Sequence, residues 1–279
     1  MTSYLKYLVV MAPLSPDQTA LDKACTLAEK ANASLATFTC AHLSDREINH
    51  YPSRQEAKHS KLQELDKWMS SQVKPHTKWG TEITTEVIWN SDWPLAASHQ
   101  ADQIGASLIV QSGGDGGLHQ RELLRFAPCP VLVARSTAPI VGGVILAALD
   151  THSDDNAHVA LNHAVMTAAL NLAEDTNSTV HLVCALDETE SIASHLGFEY
   201  LDNISTQQTV IADRFGVPVE RVHVQLGNPQ VIITECADII EADVLVIGTV
   251  ARRGITGKLL GNTAEKILAK TGCDLLVVN

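Results

Sequence analysis

A glycine-rich, basic segment near the C-terminus contains the residue types that bind phosphate. It reads GTVARRGITGKLLGNTAEK over residues 248–266. Glycine lets a backbone turn tightly and approach a ligand closely, and the free N–H groups at the start of a helix favour an anion. We therefore predict that this segment binds the phosphates of a nucleotide. The predicted contacts are the backbone N–H groups of Gly248, Gly261, Asn262 and Thr263, the loop residues Thr249 and Ala251, and the positive charge of Arg252 or Arg253.

A carboxylate follows an aliphatic run at the start of the same half of the chain. The run VILAALD ends at Asp150, which we expect at the C-terminal edge of a strand, where open α/β sheets bind ligands. There its side chain can accept hydrogen bonds from a ribose or an adenine amine. Three alternatives stay open. Asp150 could be a turn or helix-capping residue without a ligand. Arg252 and Arg253 could form a solvated loop tip, and the glycines could belong to an ordinary strand–helix turn.

Known catalytic and metal-binding motifs are missing from the sequence. GITGKL (254–259) is not a Walker-type phosphate loop, because Leu259 follows the lysine in place of Ser or Thr. There is no GxGxxG for a dinucleotide and no GxSxG nucleophile elbow. Histidines and aspartates cluster just after Asp150, without the spacing of a metal motif such as HExxH; they are His152, Asp154, Asp155 and His158. We predict no catalytic residue and no metal site.

Repeated blocks identify the elements that must position these residues. ASLIVQSGG (106–114) in the first half corresponds to ADVLVIGTV (242–250) in the second, and ASLATFTCA (33–41) corresponds to STVHLVCAL (178–186). Two more matched pairs of blocks follow the same order. Such a repeat indicates two copies of one structural unit. We predict tandem domains over residues 1–138 and 139–279, with Pro and Gly breakers between them.

Each copy alternates short aliphatic runs with segments of 3.6-residue apolar spacing, which predict strands and helices respectively. The predicted strands lie near 7–12, 34–41, 82–89, 107–112 and 130–134, and near 142–149, 178–186, 220–226, 243–248 and 273–278. The predicted helices lie near 17–31, 54–71, 94–104 and 118–126, and near 156–175, 202–215, 229–240 and 261–270. This alternation implies parallel sheets with right-handed crossovers. The predicted fold is two tandem, open, parallel-sheet α/β domains of Rossmann-like type.

The two copies differ where the nucleotide is predicted to bind. Leu108 and Cys129 are 21 positions apart, whereas the matching Val244 and Cys273 are 29 apart. The second copy therefore has the longer loop between its fourth and fifth strands. The first copy also has Ala12 or Pro13 where the second has Asp150. We expect nucleotide binding in the second copy only.

Composition and charge exclude several classes of protein. The first 138 residues carry 13 Lys and Arg against 14 Asp and Glu, and the rest carry 7 against 18, so we expect no nucleic-acid partner. No apolar run reaches the roughly 18 residues of a membrane span, and no secretory signal pattern begins the chain. Six cysteines without a CxxC pair suit a reducing compartment. We expect a cytoplasmic protein.

The segment 248–279 resembles the universal stress protein family, and the whole chain resembles its tandem-domain members. ATP-binding members carry glycine, two residues, glycine, nine residues, glycine, then Ser or Thr. Gly248 and Gly261 match this pattern, whereas Ala251 and Asn262 depart from it. The resemblance implies a fold related to adenine nucleotide α-hydrolases. It also implies that Asp150 contacts the base or ribose and that the backbone of Ala185 reads adenine.

Three hypotheses follow for the function. The first is a non-enzymatic stress-response protein whose second domain binds ATP or a related nucleotide, with Mg²⁺ as its companion. The second is a nucleotide-free interaction module in which the two domains form an intrachain pseudo-dimer through their last strands, ending at Val133 and Val277; further homodimerisation and the protein partner stay open. The third is a slow ATPase or small-ligand hydrolase.

Overall fold

The computed structural model describes residues 5–79, 82–114, 116–151, 155–186, 197–249 and 261–279. The chain separates into two compact units, Met1–Pro139 and Ile140–Asn279. We refer to them as domain 1 and domain 2 and describe each by itself.

Domain 1 alternates five strands with helices. The strands are β1 (Lys6–Val10), β2 (Ser34–Ala41), β3 (Ile83–Trp89), β4 (Leu108–Ser112) and β5 (Val131–Ala134). The helices are α1 (Thr19–Ala31), α2 (Asp45–Ile48), α3 (Arg54–Val73), α4 (Trp93–Ile104) and α5 (Leu118–Phe126), with a 3₁₀ turn at His76–Trp79.

Domain 2 repeats this alternation. Its strands are β6 (Val144–Leu149), β7 (Thr179–Leu186), β8 (Val222–Leu226), β9 (Val244–Gly248) and β10 (Asp274–Val278). Its helices are α6 (Asn156–Thr176), α7 (Gly197–Phe215), α8 (Pro229–Ile239) and α9 (Asn262–Lys270), with a 3₁₀ turn at Val219–Arg221.

Each domain contains a parallel sheet with the same strand order. In domain 1 the order is β3-β2-β1-β4-β5, and in domain 2 the matching strands run β8-β7-β6-β9-β10. The central strands are aliphatic and buried on both faces, as in Leu8, Val9 and Val246, which are fully buried. Strands of this kind need helices on both faces of the sheet. The predicted α/β fold with parallel sheets is confirmed.

The helix caps also match between the domains. α1 and α6 both end on an asparagine in the left-handed conformation, Asn32 at φ 50° and Asn177 at φ 52°. α4 and α8 both begin with a side-chain cap, Asp92 and Asn228, followed by proline in the first turn. Asparagine tolerates the left-handed region better than most residues, and proline lacks only an N–H that the first turn leaves unused. Corresponding elements thus begin and end for the same local reasons.

Besides shifts of about two residues at several strand ends and two short 3₁₀ turns, the structure differs from the predicted elements at two helices. The sequence does not predict helix α2, because a helix of four residues is too short to show a helical period. A capping box between Ser44 and Glu47 stabilises it. Helix α7 begins at Gly197, five residues before the predicted start. In the described part of the chain, no helix is both long and apolar enough to cross a bilayer.

Candidate functional site

Strand register brings the predicted site residues of domain 2 to one edge of the sheet. Leu149 of β6 pairs with Cys184 of β7. Asp150 and Ala185 are the next residues along the chain after this pair, so they lie at the same level of the sheet. On the other side, β6 pairs with β9, which ends at Gly248. All three residues therefore lie at the carboxyl ends of parallel strands, where α/β sheets bind ligands.

Helix α6 fixes the backbone at Asp150. The side chain of Asn162 accepts a hydrogen bond from the Asp150 N–H at 3.1 Å and donates one to the Asp150 carbonyl at 2.6 Å. Asn162 is only 5% exposed, so its amide is held in place by packing. The backbone is clamped while the Asp150 carboxylate stays largely exposed. A clamped carboxylate at a strand end is suited to orient a hydroxyl or amine donor.

A histidine of the histidine–aspartate cluster lies beside this carboxylate. His158 Nε2 is 3.9 Å from Asp150 Oδ2, and His158 Nδ1 is 3.1 Å from Asp155 Oδ2. Asp155 also caps α6 by accepting a hydrogen bond from the Ala157 N–H at 2.7 Å. The imidazole is therefore oriented by one carboxylate toward another.

The buried thiol next to Asp150 is chemically quiet. Cys184 lies on β7, and burial raises its pKa to about 12, against a smaller opposing effect of a hydrogen bond with Thr151. At neutral pH the sulfur stays protonated, and the thiolate is the nucleophilic form. Cys184 therefore contributes packing to this edge of the sheet.

Gly248 is required by helix packing at the strand end. A Cβ on Gly248 would lie 2.6 Å from Leu161 Cγ and 2.7 Å from Leu161 Cδ2. The residue is not among the positive-φ positions of the chain, so its conformation is open to other residues. The glycine lets α6 approach the end of β9 closely. This is a reason for the glycine that the sequence alone did not reveal.

Thr249 is tied to the end of β10. Its N–H donates to the Val278 carbonyl at 2.8 Å, and its hydroxyl lies 2.9 Å from Asn279 Oδ1. Thr249 is 5% exposed. These contacts give Thr249 a structural role at the start of the loop, and its predicted contact with a nucleotide stays a prediction.

Helix α9 begins without a side-chain cap. Its N-cap residue is Gly261, in an extended conformation at φ −68° and ψ 153°, and among the described residues no side-chain cap hydrogen bond forms there. Asn262 and Thr263 lie in the first turn of the helix. The first helical hydrogen bond runs from the Glu265 N–H to the Gly261 carbonyl at 3.0 Å. The first N–H groups of a helix need partners from outside it. An anion is a natural partner at this position.

The remaining predicted residues of the loop lie outside the described residues. They are Ala251, Arg252 and Arg253. Two members of the histidine–aspartate cluster, His152 and Asp154, also lie outside the described residues.

The matching helix start in domain 1 differs in its hydrogen bonding. Helix α5 also begins on a glycine without a side-chain cap, Gly117. Here, however, the Gly116 N–H donates to Gln120 Oε1 at 3.1 Å, and Gln120 is only 8% exposed. A side-chain oxygen of the protein thus accepts a hydrogen bond from a backbone N–H next to the helix start. Domain 2 has Ala264 at the matching position, with no oxygen to offer.

Comparison with known proteins finds a family model that matches the second half and relatives that cover the whole chain. The model of the universal stress protein family matches residues 143–279. Universal stress protein E of Escherichia coli K12 is 29% identical over all of this chain and 95% of its own length. Universal stress protein A homolog 1 of Coxiella burnetii is 30% identical, covering 41% of this chain and 85% of its own. A functionally unknown protein of Pseudomonas aeruginosa PAO1 superposes with a TM-score of 0.77 at 26% identity, over 99% of this chain and 92% of its own.

Proposed function

Because this chain belongs to the universal stress protein family, we propose that it is a cytoplasmic stress-response protein whose domain 2 binds ATP or a related nucleotide. The nucleotide acts as a ligand that favours one state of the protein, and no dedicated catalysis accompanies it. Mg²⁺ accompanies the phosphates. Domain 1 does not take part in this binding.

The observation that carries the proposal is the uncapped start of α9 at the same sheet edge as Asp150. The Gly261 N-cap has no side chain that could accept a hydrogen bond from the first N–H groups of α9, and the helix dipole adds to their attraction for an anion. The exposed Asp150 carboxylate, clamped through Asn162, is suited to accept hydrogen bonds from a ribose or an adenine amine. Together they supply recognition for both ends of a nucleotide.

The contrast with domain 1 supports binding in one domain only. Gln120 places an oxygen beside the start of α5, where it would repel a phosphate. The position of Asp150 is taken by Ala12 or Pro13, so the ribose acceptor is missing as well. Domain 1 therefore lacks both the free helix start for the phosphates and the carboxylate for the ribose.

Titration calorimetry of the full chain with MgATP tests the proposal. We expect saturable binding by the wild type and at least a tenfold weaker affinity for Gly261→Val, because the added side chain crowds the first turn of α9. The extended backbone at Gly261 accepts valine without strain. Gly117→Val is the matched control, since Gly117 is the N-cap of α5, and it should leave ATP affinity unchanged. Absence of heat with the wild type, or a larger effect of Gly117→Val, rules the proposal out.

The nucleotide-free interaction module is the main alternative. The departures at Ala251 and Asn262 from the ATP-binding pattern favour it. Mass spectrometry of the protein purified without added nucleotide separates the two. A nucleotide retained by the wild type and lost in Asp150→Ala supports binding in domain 2. ATP turnover that persists through purification and disappears in Asp150→Ala would instead favour the slow ATPase.

A further inference from the structure

Domain 1 contains a cavity at the sheet edge that corresponds to the proposed nucleotide site of domain 2. Its volume is about 650 Å³, within the range of roughly 300–1,000 Å³ typical of small-molecule sites. It is lined from the ends of β1, β2 and β4 and from the first turn of α5. We propose that this cavity binds a small amphipathic molecule with an apolar body and one carbonyl or carboxylate oxygen. The proposal is independent of ATP binding in domain 2.

The floor of the cavity is apolar, and two exposed leucines lie among the polar side chains of its mouth. Met11, Phe38 and Leu65 line the cavity and are almost fully buried. At the mouth, Leu118 is 64% exposed and Leu14 is 46% exposed. Large apolar side chains exposed around an apolar cavity mark a surface on which a ligand displaces water favourably. The body of the ligand is therefore apolar.

A polar donor in the cavity wall has no hydrogen-bond partner among the residues that the structure describes. Gln111 lines the cavity and is 4% exposed, and its Nε2 makes no hydrogen bond within the described part of the chain. Buried polar groups are normally paired. The fourth residue of the matching strand in domain 2 is Ile247, so the amide is specific to domain 1. With the amide turned toward the cavity, an acceptor oxygen on a bound molecule would give this N–H its partner.

The same cavity is poorly suited to a nucleotide. Gln120 Oε1 already takes the Gly116 N–H at 3.1 Å, and Ala12 and Pro13 line the wall where a ribose would need a carboxylate. The lysine of the wall, Lys61, is paired with Glu64 at 2.8 Å. Phosphates would therefore meet an oxygen, and the nearby positive charge is already neutralised. A single acceptor oxygen on an apolar body fits these surroundings better.

Fluorescence titration of the full chain with 8-anilinonaphthalene-1-sulfonate tests the site. We expect saturable enhancement at one site, with displacement by both naphthalene-1-carboxylate and naphthalene-1-carboxamide. ATP at the same concentrations should not displace the probe. Equal displacement by the carboxylate and the amide identifies the shared oxygen as the recognised group. If only the carboxylate competes, the site recognises charge, and the role given to Gln111 is wrong.

Matched variants locate the probe. Leu118→Arg should weaken binding at least tenfold, whereas Leu95→Arg should not, since Leu95 is 54% exposed in the same domain and is not part of the cavity wall. Gln111→Ile should weaken binding of the carboxamide about tenfold, whereas Gln63→Ile, on the exposed side of α3, should have no effect. Circular dichroism checks that each variant is folded. Equal effects of Leu118→Arg and Leu95→Arg, or no effect of Gln111→Ile, would overturn the proposal.

Discussion

Replacement of Gly248 by alanine tests the close packing of α6 against the end of β9. The new Cβ would lie 2.6, 2.7 and 3.0 Å from Leu161 Cγ, Cδ2 and Cδ1. Carbon atoms prefer separations of about 3.5–4.0 Å, so Leu161 or the helix must shift. Overpacking of this kind costs about 1–3 kcal/mol. At about 2 kcal/mol, the melting temperature of domain 2 should fall by roughly 8 °C.

Thermal unfolding followed by circular dichroism measures this change, and a second substitution isolates its cause. Leu161→Ala removes all three crowding atoms, so we expect Gly248→Ala and Leu161→Ala to be less than additive by about 1–2 kcal/mol. Gly272→Ala is the control, because a Cβ there meets nothing within 4 Å. Additive effects of the two substitutions, within about 0.5 kcal/mol, would refute the packing explanation for Gly248.

Three further predictions concern domain 2. The rings of His181 and His223 lie end to end, with Nδ1 and Nε2 3.0 Å apart and planes 7° apart; burial lowers both pKa values below 6.5. The unfolded chain then binds more protons, so stability should fall as pH drops below about 6.5, and His181→Gln should flatten that dependence in urea titrations at several pH values. Asn162→Ala should cost about 2–3 kcal/mol in urea unfolding, because two hydrogen bonds to the Asp150 backbone are lost. Asn162→Asp should cost at least as much, because its carboxylate cannot donate to the Asp150 carbonyl and would be buried facing it. Cys184, with its pKa raised to about 12, should resist iodoacetamide at pH 8 in the native protein and react in urea, as followed by mass spectrometry.

The order of elements could be predicted because local patterns determine it. Short aliphatic runs such as residues 244–247, with Asp243 before them and Gly248 after them, indicate strands buried on both faces, and the apolar spacing of segments such as 156–175 suits helices against a sheet. The repeat then assigned the same order to both halves. Asp150 was placed at a strand end for the same reason, and the structure has β6 ending at Leu149, one residue before it.

The remaining features depend on contacts between distant segments. The partner of Gly248 is Leu161, 87 positions earlier on α6, so the sequence indicated a phosphate contact for this glycine and gave no sign of the packing. Asn162 showed no signal as a clamp, because its two bonds depend on how α6 packs on β6. The Gln111 Nε2, which has no hydrogen-bond partner among the described residues, could be identified only once its surroundings were known.

A crystal structure of the full chain grown with saturating MgATP tests the central claim most directly. We predict density for one nucleotide per chain, with its phosphates at the first turn of α9 beside Gly261 and its ribose or base at Asp150. Density for ATP in the cavity of domain 1, or none beside Gly261 at saturating ATP, would contradict the assignment of nucleotide binding to domain 2.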